Sequence, residues 1–165
     1  MRLVVMMGLP GAGKDFWIKQ KMPKADVVAS ADDFFMQDGV YKFDPKKLKE
    51  AHGSCVRKVV EALQAKTELV VVSNTNINIT ELSPYVALGE AYGAEVTIIC
   101  LKIDPLAAEK RNVHGVGGPT LDRMWIALEN TLDLRPARWD MTVFEWNEET
   151  GAYDLAPKGE EVLDA

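Results

Sequence analysis

No stretch of the sequence approaches the ~20 consecutive apolar residues that a membrane span requires, and no segment reads as a repeat, a low-complexity tract or a linker. The apolar residues 1–7 meet Gly8 and Pro10 too soon for a signal peptide. These absences predict a cytoplasmic protein (host cytoplasm if viral) with no membrane partner. Cysteine is scarce. Cys55 and Cys100 lack metal-type spacing and fall on a predicted helix and a predicted strand, so they read as two reduced core thiols. A basic surplus is missing as well. The formal net charge of −6 argues against broad adhesion to duplex phosphates, which needs a basic surface. It leaves room for a small basic pocket that handles one strand end or one nucleotide.

What is present is ordinary in bulk. A chain of 165 residues, 47% hydrophobic and 27% charged, fits a single domain spanning 1–165. Its core is expected over residues 1–135, with C-terminal strands and tail over 136–165. Residues 2–7 form a short apolar run closed by Gly8 and read as a buried strand. A helix is expected from about Lys14 until Pro23 stops it, then a short strand over 26–29. Asp44 and Pro45 open the clearest helix, as N-cap and first helical residue. Its apolar stripe runs Leu48, Ala51, Cys55, Val59, Leu63. Further along come a strand over 69–72, a helix from about Thr80 that Gly93 ends, and a strand over 96–103. Asp104 and Pro105 then begin another helix. Residues 115–119 form a loop, and Thr120 is expected to cap a helix reaching about Leu132. The tail reads as a hairpin or two short edge strands.

Strands alternating with helices predict an α/β fold of the P-loop NTPase type: a parallel sheet with helices on both faces and a helical or loop lid. Ligands of such sheets sit beyond the carboxyl ends of the strands. Three polar clusters fall there, at residues 8–15, 30–33 and 73–76.

The first cluster, Gly8-Leu9-Pro10-Gly11-Ala12-Gly13-Lys14-Asp15, carries the strongest chemistry. Its glycines let the backbone curl around phosphate oxygens with the N–H groups inward. Gly11, Ala12, Gly13, Lys14 and Asp15 are the expected nucleotide contacts, with ATP and Mg²⁺ as cofactors. Lys14 supplies a point charge, and the following helix adds its partial positive end. Asp15 stands where a Ser or Thr hydroxyl usually binds magnesium. A carboxylate is itself a hard ligand, so Asp15 is the candidate metal residue; the alternative is a weakened site.

In the second cluster, Asp32 reads as a base that orients and deprotonates an acceptor hydroxyl. Asp33 reads as an acceptor contact or a helix cap. Phe34 and Phe35 are either stacking surfaces for a base or core aromatics. Asn74 and Asn76 could orient the acceptor, although Asn is also a common turn residue. Arg111 lies at a helix end running into a glycine-rich loop, the place of a lid cation or of a solvated helix terminus. His114 is a further acceptor candidate or a structural residue. Trp17, Trp125, Trp139 and Trp146 read as packing residues, with a tail aromatic as a candidate to flank adenine.

The segments Gly8 through Lys14, Ala31-Asp32-Asp33-Phe34, Ser73-Asn74-Thr75-Asn76-Ile77-Asn78 and Lys110-Arg111-Asn112 together resemble the kinase domain of bacteriophage polynucleotide 5′-kinase and its small relatives. Residues 32–52 and 111–116 look even more like eukaryotic and viral relatives. The resemblance covers about 2–130 and leaves the tail out. It implies that Asp32 is the general base, that Lys14 stabilises the transferred phosphoryl group, and that Arg111 is the lid arginine. It implies an ATP-dependent kinase acting on a nucleic-acid hydroxyl, most simply a polynucleotide 5′-OH. Three departures stand out: Asp15 for serine, Phe35 for an acceptor-binding arginine, and Asn74 for aspartate. They keep open a kinase for a hydroxymethylated base such as 5-hydroxymethyluracil in phage DNA, or for a free nucleoside or nucleotide. A non-catalytic nucleotide-binding module is the alternative of another class. With no phosphatase domain in the sequence, 3′-end trimming is not expected. Oligomeric state and acceptor identity are open at this level.

Overall fold

The computed structural model describes residues 1–157; residues 158–165 of the expected tail lie outside the described residues. Strand β1 (Arg2–Met7) is apolar over nearly its whole length and buries both of its faces. Its neighbours are β5 (Leu69–Ser73) on one side and β6 (Glu95–Lys102) on the other, both parallel to it. Beyond β5 lies β2 (Val27–Ala29), and beyond β6 lie β7 (Met141–Asn147) and β8 (Ala152–Leu155). The six-stranded order is therefore β2-β5-β1-β6-β7-β8, and only β8 runs antiparallel to its neighbour. A separate two-stranded hairpin, β3 (Met36–Gln37) and β4 (Val40–Tyr41), stands off the sheet.

The two-residue period of a strand divides these apolar runs between two cores. Leu3, Val5 and Met7 of β1 join Val70 and Val72 against helices α2 (Leu48–Gln64) and α3 (Ile79–Ala91). Val4 and Met6 point the other way, with Leu69, Val71 and Leu101. They meet Ile18 of α1 (Lys14–Lys21), Ala108 of α4 (Pro105–Arg111) and Leu121 of α5 (Gly118–Leu134). Helices therefore cover both faces, as the alternation of elements predicts.

The local signals behave unevenly. Helix α1 ends just before Pro23. The Asp44 side chain accepts from Lys46 N–H, but the cap opens a 3₁₀ turn, and α2 starts only at Leu48. The buried stripe accordingly begins at Ala51, and Leu48 is exposed. Gly93, at φ +74°, closes α3, with Ala94 N–H donating to Gly89 and Gly93 N–H to Glu90, the paired bonds of a left-handed helix cap. Thr120 is not a cap. Helix α5 starts two residues earlier at Gly118, behind Gly117, because Pro119 fits the first turn without needing an N–H. The tail does form a hairpin, and it is more than an edge. Strand β7 extends the parallel sheet, and β8 folds back on it with Trp146 opposite Tyr153.

Candidate active site

The strand order sets the three polar clusters side by side. The ends of β2, β5 and β1 are consecutive in the sheet, so residues after Ala29, Ser73 and Met7 share one edge.

The phosphate loop follows β1 and is held from two sides. Gly8 N–H donates to the Thr75 carbonyl, and the Tyr153 hydroxyl donates to the Ala12 carbonyl at 2.6 Å. Gly11 and Gly13 have φ of +85° and +82°, the left-handed region that glycine enters freely. At Gly11 a Cβ would lie 2.2 Å from the Ala108 carbonyl oxygen, whereas at Gly39, also at positive φ (+77°), it would meet nothing within 4 Å. Gly39→Ala is expected to cost about 1–2 kcal/mol through its φ alone. Gly11→Ala should cost clearly more, because α4 must also move. Parallel thermal melts of the two variants test this, and equal costs would refute it.

Lys14 opens α1, and its ammonium donates to the carbonyls of Gly8 (3.0 Å) and Leu9 (3.1 Å). Burial pushes its pKa down to about 8, with Asp15 and then Asp32 pulling the other way. Asp32 thus acts on Lys14 from the end of β2, one strand beyond β5. Asp15 is exposed in the first turn of α1, and one of its oxygens accepts from the Ser73 hydroxyl at 2.7 Å. A carboxylate and a hydroxyl beside a phosphate loop are oxygen donors of the kind magnesium takes.

The second cluster is a 3₁₀ turn over Ala31–Phe35, capped by Ser30, whose side chain accepts from Asp32 N–H. Asp32 is exposed, and its carboxylate accepts from the Tyr41 hydroxyl at 3.0 Å. Partial burial, with that hydrogen bond second, pushes the Tyr41 hydroxyl up to about 12, so it remains a neutral donor. Asp33 is turned to structural use: it closes the capping box with Ser30 N–H and pairs with Lys58 at 3.1 Å. Phe35 is a core aromatic, 2% exposed, and half-buried Phe34 packs edge-on against it.

The two asparagines brace the site from behind. Asn74 accepts from Ala31 N–H at 2.9 Å, fixing the turn that carries Asp32. Its amide points at Cys55 and Tyr85. Asn76 is buried, sits at φ +44°, and donates to the Met6 carbonyl beneath the phosphate loop. Both side chains are engaged with neighbouring protein groups. A polar strand end carries the same signature whether its side chains face ligand or neighbouring backbone, so sequence alone leaves both readings standing.

Arg111, the last residue of α4, reaches back to the phosphate loop. Its Nε donates to the Gly11 carbonyl at 3.2 Å, and its guanidinium lies 4.1 Å from the centre of the Trp146 ring. Asn112 braces the following loop by accepting from His114 N–H and donating to the Val116 carbonyl. The His114 ring is 5.7 Å from that of Tyr41, which stacks in turn on Phe43. Two contributors escape the sequence reading, Tyr41 and Tyr153, and Trp146 is anticipated only as a tail aromatic that could flank adenine. The alternation that puts Trp146 opposite Tyr153 is their one local trace.

A glycine-rich loop between the first strand and helix of a mostly parallel sheet, with helices on both faces, is the fold of P-loop kinases. The chain belongs to the family described as AAA domain, whose model matches residues 3–114. It is 36% identical over 128 residues to NEDD4-binding protein 2 of Homo sapiens, a match covering 74% of this chain and only 7% of that protein. Among solved structures, a chain of the AvrRxo1-ORF1:AvrRxo1-ORF2 complex with ATP superposes with a TM-score of 0.68 at 15% identity, covering 94% of this chain and 57% of the other. A chain of the Pnkp1/Rnl/Hen1 RNA repair complex gives 0.66 at 17% identity, covering 99% and 50%. Among the described residues no helix is long and apolar enough to cross a membrane.

Proposed function

We propose that this chain is an ATP-dependent kinase that phosphorylates a hydroxyl of a nucleic acid, most simply a polynucleotide 5′-OH. The observation that carries this reading is the placement of the exposed Asp32 carboxylate within electrostatic reach of Lys14, at the same sheet edge as the phosphate loop. A loop that only bound nucleotide would have no use for a second exposed carboxylate there.

In this reading the loop N–H groups and Lys14 cradle the β- and γ-phosphates. Magnesium, when bound, neutralises charge on those phosphates. Asp32 takes the proton of the acceptor hydroxyl as its oxygen bonds to the γ-phosphorus. The bond from that phosphorus to the β-bridging oxygen breaks, and ADP leaves. Arg111 stands over the loop, where it can meet charge on the transferring group. The rings of Tyr41, Phe43 and His114 offer a base a surface beside the attacking hydroxyl. The fold shared with a chain of an RNA repair complex supports a nucleic-acid acceptor.

A second reading keeps the chemistry and changes the acceptor to a hydroxymethylated base or a free nucleoside or nucleotide. The net charge of −6 favours it, since a long polynucleotide track would call for a basic surface. Label from γ-labelled ATP, offered to a 5′-OH oligonucleotide, hydroxymethyluracil DNA and nucleosides, separates the two. Transfer to the 5′-OH end is expected. Transfer to nucleosides alone would overturn the nucleic-acid acceptor, and no transfer to any of them would leave a nucleotide-binding module.

A further inference from the structure

The family match stops at residue 114, yet two aromatic side chains from well beyond it meet the phosphate site. Trp146 of β7 and Tyr153 of β8 face each other across the tail hairpin, with ring centres 5.2 Å apart. We infer that this hairpin is a positioning element for phosphoryl transfer: Trp146 holds the Arg111 guanidinium over the loop, and Tyr153 fixes the Ala12 peptide within it. The inference rests on the kinase reading above and gives two residues outside the matched segment a role in that site.

Arg111 ends α4 and is exposed, so its long side chain would ordinarily sample many directions in water. Two contacts narrow them. Its Nε donates to the Gly11 carbonyl, and its guanidinium carbon lies 4.1 Å from the Trp146 ring centre. One terminal nitrogen lies over Gly13, 2.9 Å from where a Cβ would stand there. Among the described residues, no carboxylate is within ion-pair distance of Arg111, and its terminal nitrogens donate to no protein acceptor. An aromatic face attracts a cation without neutralising it, as a carboxylate would. The terminal N–H groups are therefore held in place and still left for phosphate oxygen. The indole is itself fixed: Nε1 donates to Glu148 at 2.8 Å, and the ring packs against the core that contains Ala12 and Ala108.

Tyr153 acts on the loop itself. Its hydroxyl donates to the Ala12 carbonyl at 2.6 Å. Burial pushes the phenol up, with Arg111 pulling the other way, so the group stays a neutral donor. In a planar trans peptide, the C=O of one residue and the N–H of the next point in opposite directions. Holding the Ala12 carbonyl on Tyr153 therefore turns the Gly13 N–H away from the hairpin, as a loop that presents its N–H groups to phosphate requires. Gly13, at φ +82°, has the backbone freedom to turn that peptide otherwise. The Tyr153 bond removes that freedom.

The test combines steady-state transfer to the acceptor that takes label in the panel above, calorimetric ATP binding, and the Arg111 Nε–H nuclear resonance of the nucleotide-free chain. Thermal melts check folding. Trp146→Leu should lower kcat about 5- to 30-fold, the worth of a partly desolvated cation–π contact, and change KM for ATP less than about twofold. Trp146→Phe keeps an aromatic face and should recover most of the loss. In an Arg111→Ala background, Trp146→Leu should cost nothing more, because the two residues act as a unit. Tyr153→Phe should weaken ATP binding about 2- to 10-fold, the worth of one hydrogen bond, while kcat at saturation holds. Losses from Arg111→Ala and Trp146→Leu that simply multiply would make Trp146 a packing residue. A raised KM for ATP at unchanged kcat would make it a flank for adenine. Either result overturns the inference, as does unchanged ATP affinity in Tyr153→Phe. The Arg111 resonance should shift and broaden in Trp146→Leu before any ATP is added, and an unchanged resonance overturns the positioning whether or not the chain transfers phosphate. No transfer from the wild-type chain to any acceptor would sink the kinase reading instead, with the resonance and the ATP affinity still deciding what the hairpin holds.

Discussion

Asp32→Ala is expected to slow phosphoryl transfer by about 10²–10⁴-fold, the usual worth of a positioned general base, while ATP binding stays close to that of the unchanged chain. The two effects separate because of where Asp32 stands. It belongs to the turn after β2, not to the phosphate loop, and its backbone N–H is satisfied by Ser30. Its carboxylate is exposed and has only the Tyr41 hydroxyl as a protein hydrogen-bond partner among the described residues. Truncating it removes no packing and leaves no buried group unpaired. Neighbouring Asp33 is the natural control: it closes a cap and pairs with Lys58, so Asp33→Ala should lower the melting temperature more than it lowers turnover. Single-turnover transfer measured beside calorimetric ATP binding checks both. Full activity in Asp32→Ala would remove this residue from the reaction.

Lys14→Ala is expected to lower turnover by on the order of 10²–10³-fold, as for loss of a single charge-stabilising donor, and to weaken ATP binding as well. The same residue gives a pH signature. Burial lowers its pKa to about 8, so in the nucleotide-free protein Lys14 loses its charge as pH rises through that value. ATP affinity should therefore fall above about pH 8, and Lys14→Ala should abolish the dependence. The effect on stability has the opposite sign. A lysine whose folded pKa lies below its ordinary value of 10.5 disfavours folding while charged; this penalty is fully present below about pH 8 and relieved as pH rises toward the unfolded value. Binding and stability measured across pH 7–10 should thus move in opposite directions.

The sequence was legible where one residue type has one physical use. Gly11 and Gly13 need the left-handed backbone their positions take, Pro23 ends a helix, and Gly93 supplies the cap that finishes α3. The short continuous apolar runs marked β1 and β5 as buried strands. Legibility failed where one residue type serves two purposes. Asn74 and Asn76, read as acceptor ligands or turn residues, brace backbone, and Asp33, read as a contact or a cap, closes a cap and pairs with Lys58. Trp146 reads as packing or as a tail aromatic flanking adenine, and lies under the Arg111 guanidinium.

By itself, then, the sequence determined the phosphate loop, the alternation of strand and helix, and the unusual carboxylate at position 15. These follow from local backbone geometry and short-range periodicity. Only the tertiary structure decided that Asp15 meets Ser73, 58 residues away, that Asp32 shares a sheet edge with the phosphate loop and meets the Tyr41 hydroxyl, and that Arg111 rests on Trp146 from the tail hairpin. The physical reason is strand order: a parallel sheet places distant strand ends side by side, and no pattern within a single segment records which strands become neighbours.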